Sequence, residues 1–330
     1  MARLSDDGDS LNALVATTAD ALGIDAAFVE KDFWVIEVLR AATDDVDVID
    51  KDRRSHPVTT IFKGGTSLSR VYGIIDRFSE DVDLLVAFPD ADLSIGARDR
   101  VLKAIRDAVA AHLGVEFSAV ASTTGVKRNV RYSYPSRYGS AAVSEGVLLE
   151  MGSRGGTYPT QQHELRSLVA NHAIGTLGED ETLWEEFAAV PVRVLAPERT
   201  LLEKLVLLHD GASRFPDPAA RTKLLQGGRH LYDVHQLLES PDVIAALTKL
   251  GPAGVQAIWA DIDEHSRAAE FSYTARPESG LGDSPLLDPD NPCQTIARQG
   301  YATAMDLVYG GHPNFDDCIE TIRVRAPLLG

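Results

Sequence analysis

The segment at residues 61–86 constrains the fold of this chain more than any other part of its sequence; it reads IFKGGTSLSRVYGIIDRFSEDVDLLV. A short apolar strand ends here in Gly64 and Gly65, and the composition that follows is typical of a short helix. Two aspartates, Asp81 and Asp83, then stand one residue apart at the start of a second apolar strand. Because this order of strand, glycine turn, short helix and acidic strand is specific, it predicts the beginning of an α/β domain.

Hydrophobic spacing divides the chain into an α/β part and a mostly helical part. Two helices are predicted within residues 10–42, interrupted at Gly23, and an amphipathic helix is predicted to end at Gly114. Further strands are predicted in GVEFSAVA, NVRYSYPS and GVLLEMGS, whereas the clearest later segments have helical spacing. We therefore expect an α/β (α+β) fold, with one domain at residues 1–160 and a mainly helical domain at residues 161–330.

Composition and charge limit the classes of protein to which the chain can belong. Its 330 residues are 44% hydrophobic and 25% charged, which is ordinary for a globular protein. No apolar run approaches the ~20 residues that span a bilayer, and the acidic N-terminus lacks the apolar segment of a signal peptide. The formal net charge of −17 argues against a basic surface that binds nucleic acids without specificity. We expect a cytoplasmic protein with no membrane association, and Cys293 and Cys318 fit a reducing compartment.

The two aspartates of the acidic strand predict a site for a divalent cation. Alternate side chains of a strand share a face, so Asp81 and Asp83 point the same way while Val82 and the apolar residues after it can be buried. Neighbouring carboxylates repel and raise each other's pKa unless a cation lies between them. Mg²⁺ typically takes one or two carboxylates together with substrate phosphates. The same spacing at Asp45 and Asp47 lacks a preceding glycine turn, and we interpret it as a loop.

The glycine turn before this strand predicts a binding site for the phosphates of a nucleotide. Gly64 and Gly65 remove side chains, so that a triphosphate can approach the backbone. Free N–H groups at the start of the short helix, with Thr66 and Ser67, can bind phosphate oxygens. The predicted nucleotide-binding set is completed by the lysine before the turn and the serine before the acidic strand, Lys63 and Ser79.

The glycine turn and the acidic strand resemble the signature of the AbiEii/AbiGii toxin family of nucleotidyltransferases, which includes the MenT toxins, in the motifs FKGGTSLSRVYG and RFSEDVDL. They also resemble the wider DNA polymerase β-like superfamily, whose members place a glycine-serine turn before paired aspartates. The resemblance implies a polymerase β-like mixed sheet with flanking helices, and a helical second domain that closes the active-site cleft. It also implies Mg²⁺-dependent transfer of NMP from an NTP to an RNA acceptor, the 3′ end of tRNA. Such transfer would block aminoacylation and stop translation, and a cognate antitoxin protein is the implied partner.

The resemblance also assigns roles to residues outside this segment. The superfamily usually has a third carboxylate on a neighbouring strand, and Glu150 is the candidate, as a metal ligand or as a general base. Lys204 lies in the apolar stripe of a predicted helix, where its ammonium either reaches water or binds the triphosphate; the family has a lysine in this helical context, which favours the second role. Asp233, in the family's Arg-x-x-Tyr-Asp helix, either binds the nucleotide or forms a salt bridge with Lys204 or Arg229. The predicted catalytic residues are Asp81, Asp83, Glu150, Lys204 and Asp233.

Several alternatives stay open at the level of sequence. The basic and aromatic segment 127–138 either contacts RNA or forms the buried face of a strand with solvated arginines. His265 is interpreted as structural or as facing RNA. A small molecule or a protein is the alternative acceptor for the NMP. The chain as a whole has a non-catalytic NTP-binding interaction module as its alternative, although Ser67, Lys204 and the paired aspartates argue against it.

Overall fold

The computed structural model describes residues 2–77, 79–140, 143–268, 273–308 and 311–330, and Phe78, within the predicted segment 61–86, lies outside them. The chain divides into two compact units that are interleaved along the sequence. The first unit comprises Met1–Val71, Ser79–Arg154 and Thr160–Val194. The second unit comprises Tyr72–Phe78, Gly155–Pro159 and Leu195–Gly330.

The first unit contains both helices and strands. Its helices are α1 (Gly8–Leu22), α2 (Ala26–Ala42), α3 (Gly64–Arg70), α4 (Ile95–Leu113) and α5 (Leu168–Gly175), with short 3-10 helices at Leu4–Asp6 and Glu185–Phe187. Its strands are β1 (Val46–Ile49), β2 (Ser55–Lys63), β3 (Asp81–Ala87), β4 (Phe117–Thr123), β5 (Lys127–Tyr132), β6 (Val147–Gly152), β7 (Thr160–Leu165) and β8 (Val190–Leu195).

The eight strands of the described residues form one mixed sheet. Its order is β4-β5-β6-β3-β2-β8-β7, and β1 pairs with β2. The acidic strand β3 is central; it runs antiparallel to β2 and parallel to β6. The predicted mixed sheet with flanking helices is therefore confirmed, and so is the predicted order of strand, glycine turn, short helix and acidic strand.

The burial of β3 follows a two-residue period over its first four residues, and the next two residues are both buried. Val82, Leu84 and Val86 are buried, whereas Asp81 and Asp83 are half-buried. Burying one such aliphatic side chain contributes about 1.5–3 kcal/mol to folding, so the alternation fixes which face of β3 carries the carboxylates. Helix α2 is buried over nearly its whole length and packs against β3 and β6.

The second unit is helical, as the sequence predicts for the later part of the chain. Its helices are α6 (Pro197–Ser213), α7 (Pro218–Gln226), α8 (Gly228–Glu239), α9 (Pro241–Ala268), α10 (Cys293–Ala304) and α11 (Phe315–Arg325). Short 3-10 helices lie at Leu281–Asp283, Pro285–Leu287, Met305–Leu307 and Ala326–Leu328. The predicted domain boundary after residue 160 stays a prediction; by packing, residues 160–194 group with the first unit.

Two helical segments among the described residues meet a length and composition test for crossing a membrane. One is α9, but it is broken at Gly251, whose φ of 64° and ψ of 178° are non-helical, and Pro252 follows. Each part of α9 is thus shorter than the ~20 residues that a spanning helix needs. The other is the pair α1 and α2 taken together, which are bent by 118°. Neither segment is a continuous helix of spanning length.

Candidate functional site

Four polar side chains lie in register across four neighbouring strands of the first unit. Lys63 on β2 is opposite Asp83 on β3, Asp83 is opposite Glu150 on β6, and Glu150 is opposite Asn129 on β5. Directly opposite residues share a face of a sheet, so these side chains form one row. Asp81 lies two residues before Asp83 on the same face. The structure thus brings the predicted third carboxylate, Glu150, next to Asp83; we call these five residues the acidic row.

Like charges dominate the electrostatics of the acidic row. The pKa of Asp83 is raised to about 7, chiefly by burial; Lys63 opposes the rise, and the carboxylates of Glu150 and Asp81 add to it. Asn129 donates its amide to Glu150 Oε1, and its own buried carbonyl oxygen Oδ1 has no hydrogen-bond partner. A partly buried set of oxygen acceptors that holds excess negative charge is unfavourable without a cation.

These oxygen donors fit a hard divalent cation of the kind that nucleotidyltransferases use. Among the described residues, no three side chains of histidine, cysteine, aspartate or glutamate are arranged to hold a metal ion, so Asp81, Asp83 and Glu150 do not form a complete three-carboxylate site. Mg²⁺ needs only one or two carboxylates when water and substrate phosphates supply the rest of its octahedron. The neighbouring carboxylates of Asp83 and Glu150, with Asp81 beside them, satisfy that requirement.

The glycine turn holds the backbone close to the acidic row. Gly64 has a φ of +81°, which favours glycine, and a Cβ at this position would lie 3.1 Å from Asp83 Cβ and collide with the Asp83 carboxylate. The sequence suggests that a glycine is needed at position 64 so that a triphosphate can approach the backbone. The structure adds a second reason, because the carboxylate of Asp83 occupies the space that any side chain would fill.

Hydroxyl groups tie the glycine turn to the start of β3. Thr66 Oγ1 lies 2.9 Å from Ser79 Oγ and 2.6 Å from the carbonyl oxygen of Asp81. Ser67 is buried and donates its hydroxyl to the carbonyl oxygen of Gly64 at 2.9 Å. The hydroxyls of Thr66 and Ser67 therefore have protein partners in this structure, and their predicted role in phosphate binding stays a prediction.

A compact ion cluster lies in the second unit, around Asp233 of α8. The fully buried Asp233 carboxylate accepts two hydrogen bonds from Arg77, from Nε at 2.6 Å and Nη2 at 2.8 Å. Lys204 Nζ lies 2.8 Å from Asp233 Oδ2 and 3.4 Å from Nδ1 of His230. Burial alone would raise the pKa of Asp233, but Lys204 and Arg77 outweigh it and hold that pKa well below its usual range. We call these four residues the ion cluster.

Helix α6 positions Lys204 as the sequence pattern predicts. Pro197 is its first residue, and Leu201, Leu205 and Leu208 are buried on one side together with Lys204. The side chain of Lys204 is only 8% exposed, so its ammonium pairs with Asp233 and does not reach out to water. Burial lowers the pKa of Lys204, and the charge on Asp233 opposes that change.

The partners of Asp233 include one of the two that the sequence suggested, together with a residue that the sequence analysis missed. Of the two partners proposed for Asp233, Lys204 is found, whereas Arg229 is exposed and Arg77 takes its place. Arg77 is the first residue of the motif RFSEDVDL, where no periodic pattern marks it. Asn129 was also missed, because only the pairing of β5 with β6 brings it to Glu150.

The basic segment 127–138 packs its apolar residues as the buried-strand alternative describes, but its arginines are paired within the protein and not simply solvated. Val130 and Tyr132 are buried, and the ring of Tyr134 stacks on Trp34 at a centroid distance of 5.3 Å. Its arginines have partners within the protein: Arg128 contacts Asp99 at 2.8 Å, Arg131 donates to the carbonyl oxygen of Glu145 at 2.8 Å, and Arg137 lies 3.6 Å from Asp9.

His265 lies near the end of α9, and its contacts are local. Its Nδ1 is 2.8 Å from the carbonyl oxygen of Asp261 and 3.4 Å from the Asp261 carboxylate, both one turn earlier on the same helix. These contacts fit the structural alternative for His265.

One comparison with known proteins identifies the family of this chain. Residues 52–321 match the family model described as "Nucleotidyl transferase AbiEii toxin, Type IV TA system", where TA denotes toxin–antitoxin. Among solved structures, the chain is similar to MenT4, a nucleotidyltransferase toxin from Mycobacterium tuberculosis H37Rv, with 19% identity and a TM-score of 0.44 over 96% of this chain and 97% of that one. No curated protein matches it in sequence. Because the family model covers most of its length, the chain belongs to the AbiEii family of nucleotidyltransferase toxins of type IV toxin–antitoxin systems.

Proposed function

We propose that this toxin transfers a nucleoside monophosphate from an NTP to the 3′ end of tRNA in the cytoplasm, and that Mg²⁺ is its cation. Family membership makes it a nucleotidyltransferase with an NTP substrate and an antitoxin partner. The single observation that carries the assignment of the site is the in-register pair Asp83 and Glu150, with Asp81 beside it and the Gly64 turn against it. An acceptor extended at its 3′ end could not be aminoacylated, which accounts for toxicity.

The acidic row supplies the proposed cation ligands. Asp81 and Asp83 would hold Mg²⁺, and Glu150 would either share it or accept the proton of the attacking hydroxyl. When bound, such a cation neutralises phosphate charge and stabilises the attacking and leaving oxygens of an in-line displacement. Because its pKa is raised to about 7, Asp83 must first lose the proton that it tends to hold in the absence of a cation.

The remaining predicted residues are assigned to the phosphates. Lys63 and the turn from Gly64 to Ser67 are the proposed nucleotide-binding elements of the first unit, with Ser79 beside Thr66. Lys204 is the proposed phosphate ligand of the second unit, and Asp233 helps to keep its ammonium charged. In the reaction, the acceptor oxygen bonds to the α-phosphorus as its proton leaves. The bond from that phosphorus to the bridging oxygen then breaks, and pyrophosphate departs.

The acceptor is tested by asking which molecules take up label from an NTP. The purified toxin is incubated with each α-labelled NTP and with total RNA, a protein extract or a small-molecule pool. Label at tRNA 3′ ends supports the proposal, and sequencing of tRNA ends after induced expression checks it in cells. Label in protein or in small molecules would assign the alternative acceptors. If no fraction takes label while Asp81→Ala stays as toxic as the parent, the protein acts as a non-catalytic NTP-binding module.

A further inference from the structure

Three consecutive charged residues of helix α2 are buried in the first unit. Glu30 and Lys31 are each 1% exposed, and Asp32 is 7% exposed. Successive residues of a helix point about 100° apart, so the three charged groups reach different neighbours. The outer two hold segments that lead to or from the sheet: Glu30 accepts from Ser136 Oγ and the N–H groups of Arg137 and Tyr138, and Asp32 accepts from Arg70 and from the N–H of Leu168.

The middle residue, Lys31, joins the starts of two strands. Its ammonium lies 3.0 Å from the Glu80 carboxylate and donates to the carbonyl oxygens of Ser144, at 2.9 Å, and Gly146. Glu80 also accepts from the N–H of Ser144 at 2.9 Å and from its hydroxyl. All three hydrogen-bonding positions of the ammonium are therefore used, and α2 is fastened to two loops at once.

These two loops begin the strands that carry the carboxylates. Glu80 immediately precedes β3, which starts at Asp81, and Gly146 immediately precedes β6, which starts at Val147. The parallel pairing of β3 with β6 sets Asp83 opposite Glu150. A connection that fixes both strand starts against one helix also fixes the relative position of these two carboxylates.

Lys31 is buried, and the side chain of Glu80 is 19% exposed. An ion pair that buries its lysine is a poor means of stabilising a fold, because desolvation of that charge offsets much of the attraction. An apolar side chain in place of Lys31 would pack among the buried residues of α2 without that cost. What an apolar residue cannot do is hold a carboxylate and two carbonyl oxygens at fixed distances. We infer that the Lys31–Glu80 ion pair is a positioning element for nucleotidyl transfer, which sets the separation of the Asp83 and Glu150 carboxylates by fixing the starts of β3 and β6. The inference rests on the proposed function for the role of those two carboxylates.

The test compares Lys31→Met and Glu80→Gln with a matched control on the same helix. Glu37 of α2 is also 1% exposed and lies 2.9 Å from His112 Nε2 and 3.0 Å from Arg40 Nε. Among the described residues, it forms no hydrogen bond or ion pair with β3 or β6. Glu37→Gln therefore disturbs a buried ion pair of α2 without touching the loops before the two strands. Each protein is assayed for kcat and for KM of the NTP, for thermal unfolding, and for amide hydrogen exchange without nucleotide or cation.

We expect Lys31→Met to lower kcat at least about tenfold with little change in the KM for the NTP, since a misplacement of about 1 Å can cost about a hundredfold in rate. Glu80→Gln should act in the same direction but less strongly, and Glu37→Gln should leave kcat within about twofold of the parent. Amide exchange should rise in β3 and β6 in the first two proteins alone, even if all three lose similar thermal stability.

The outcomes separate this inference from the proposed function. The positioning role would be overturned if Lys31→Met and Glu80→Gln matched Glu37→Gln both in kcat and in the amide exchange of β3 and β6. If Lys31→Met does not fold, Glu80→Gln decides by the same comparison. If the parent transfers no nucleotide to any acceptor, the proposed function fails, and hydrogen exchange alone decides whether the ion pair holds the two strands together.

Discussion

The central carboxylates of the acidic row in the first unit and of the ion cluster in the second unit have pKa values that are shifted in opposite directions. In the acidic row, Asp83 lies beside two further carboxylates, with Lys63 as its opposing charge, and its pKa is raised to about 7. In the ion cluster, Asp233 is more deeply buried, yet Arg77 and Lys204 hold its pKa below its usual range. Burial pushes both pKa values upward, so the difference comes from the neighbouring charges. The ion cluster pairs its carboxylate with two cations of the chain, whereas the proposed function adds a bound cation to the acidic row.

Removal of the central carboxylate of the acidic row should have the largest effect. We expect Asp83→Asn to lower nucleotidyl transfer by about a thousandfold or more, since a bound cation contributes several kcal/mol to stabilising the transition state. The same substitution should raise the melting temperature at pH 8 in cation-free buffer, because it removes charge repulsion. Transfer of labelled NMP and thermal unfolding measure the two effects, and an active Asp83→Asn protein would contradict the proposed site.

The corresponding substitution in the ion cluster should act on folding. Asp233→Asn leaves the buried charges of Arg77 and Lys204 without their carboxylate, which should cost about 3–5 kcal/mol in the free energy of unfolding. Urea denaturation measures this loss. The matched control is Asp316→Asn, which breaks an exposed 2.6 Å ion pair with Arg298 and should leave the unfolding curve unchanged. Equal losses of unfolding free energy in the two variants would show that burial of the ion pair does not determine its contribution to stability.

Added Mg²⁺ should stabilise the protein through the acidic row alone. At about a hundredfold excess over its dissociation constant, a cation that binds only the folded chain contributes about 2.7 kcal/mol, equivalent to a rise of several degrees in melting temperature. The rise should be absent in Asp83→Asn and present in Lys204→Met. Potassium chloride at equal ionic strength controls for screening, and the same rise in Asp83→Asn would place the cation elsewhere.

The pH dependence of stability should give the smallest but most specific signal. Because the pKa of Asp83 is raised from 3.8 to about 7 in the folded protein, its contribution to stability is fully present below pH 3.8 and is lost as the pH rises through about 7. Asp233, with a lowered pKa, contributes in the opposite sense, and its contribution is lost only on strong acidification. In cation-free buffer, the free energy of unfolding should therefore fall less steeply between pH 5 and 8 for Asp83→Asn than for the parent. Parallel profiles would contradict the raised pKa.

Local periodicity explains which parts of this molecule could be predicted from the sequence. The shared face of Asp81 and Asp83 follows from the two-residue period of one strand, and the burial of Lys204 follows from the helical period of α6. Both features are decided within a few residues of the chain, and both are confirmed. The position of Glu150 beside Asp83 could be predicted only with the family resemblance, because the sequence of one strand does not determine which strand it pairs with.

Pairings between distant residues could not be predicted in the same way. Arg77 and Asp233 are separated by 156 positions, and no spacing rule connects an irregular segment with a helix that far along the chain. Lys31 lies in a helix that is buried on nearly all sides, so its sequence has no polar face against which a buried charge would be conspicuous. Asn129 lies in β5, whose basic and aromatic residues suggest RNA contact. That pattern does not indicate that β5 pairs with β6 and places Asn129 opposite Glu150.

The interleaving of the two units has a consequence for how the toxin is made. Arg77 belongs to Tyr72–Phe78, a short piece of the second unit that the ribosome synthesises long before the rest of that unit. Asp233, which accepts hydrogen bonds from its guanidinium, is synthesised 156 residues later. Translation that stops early would leave this arginine without its counter-charge, and a C-terminal fragment made alone would lack the arginine altogether.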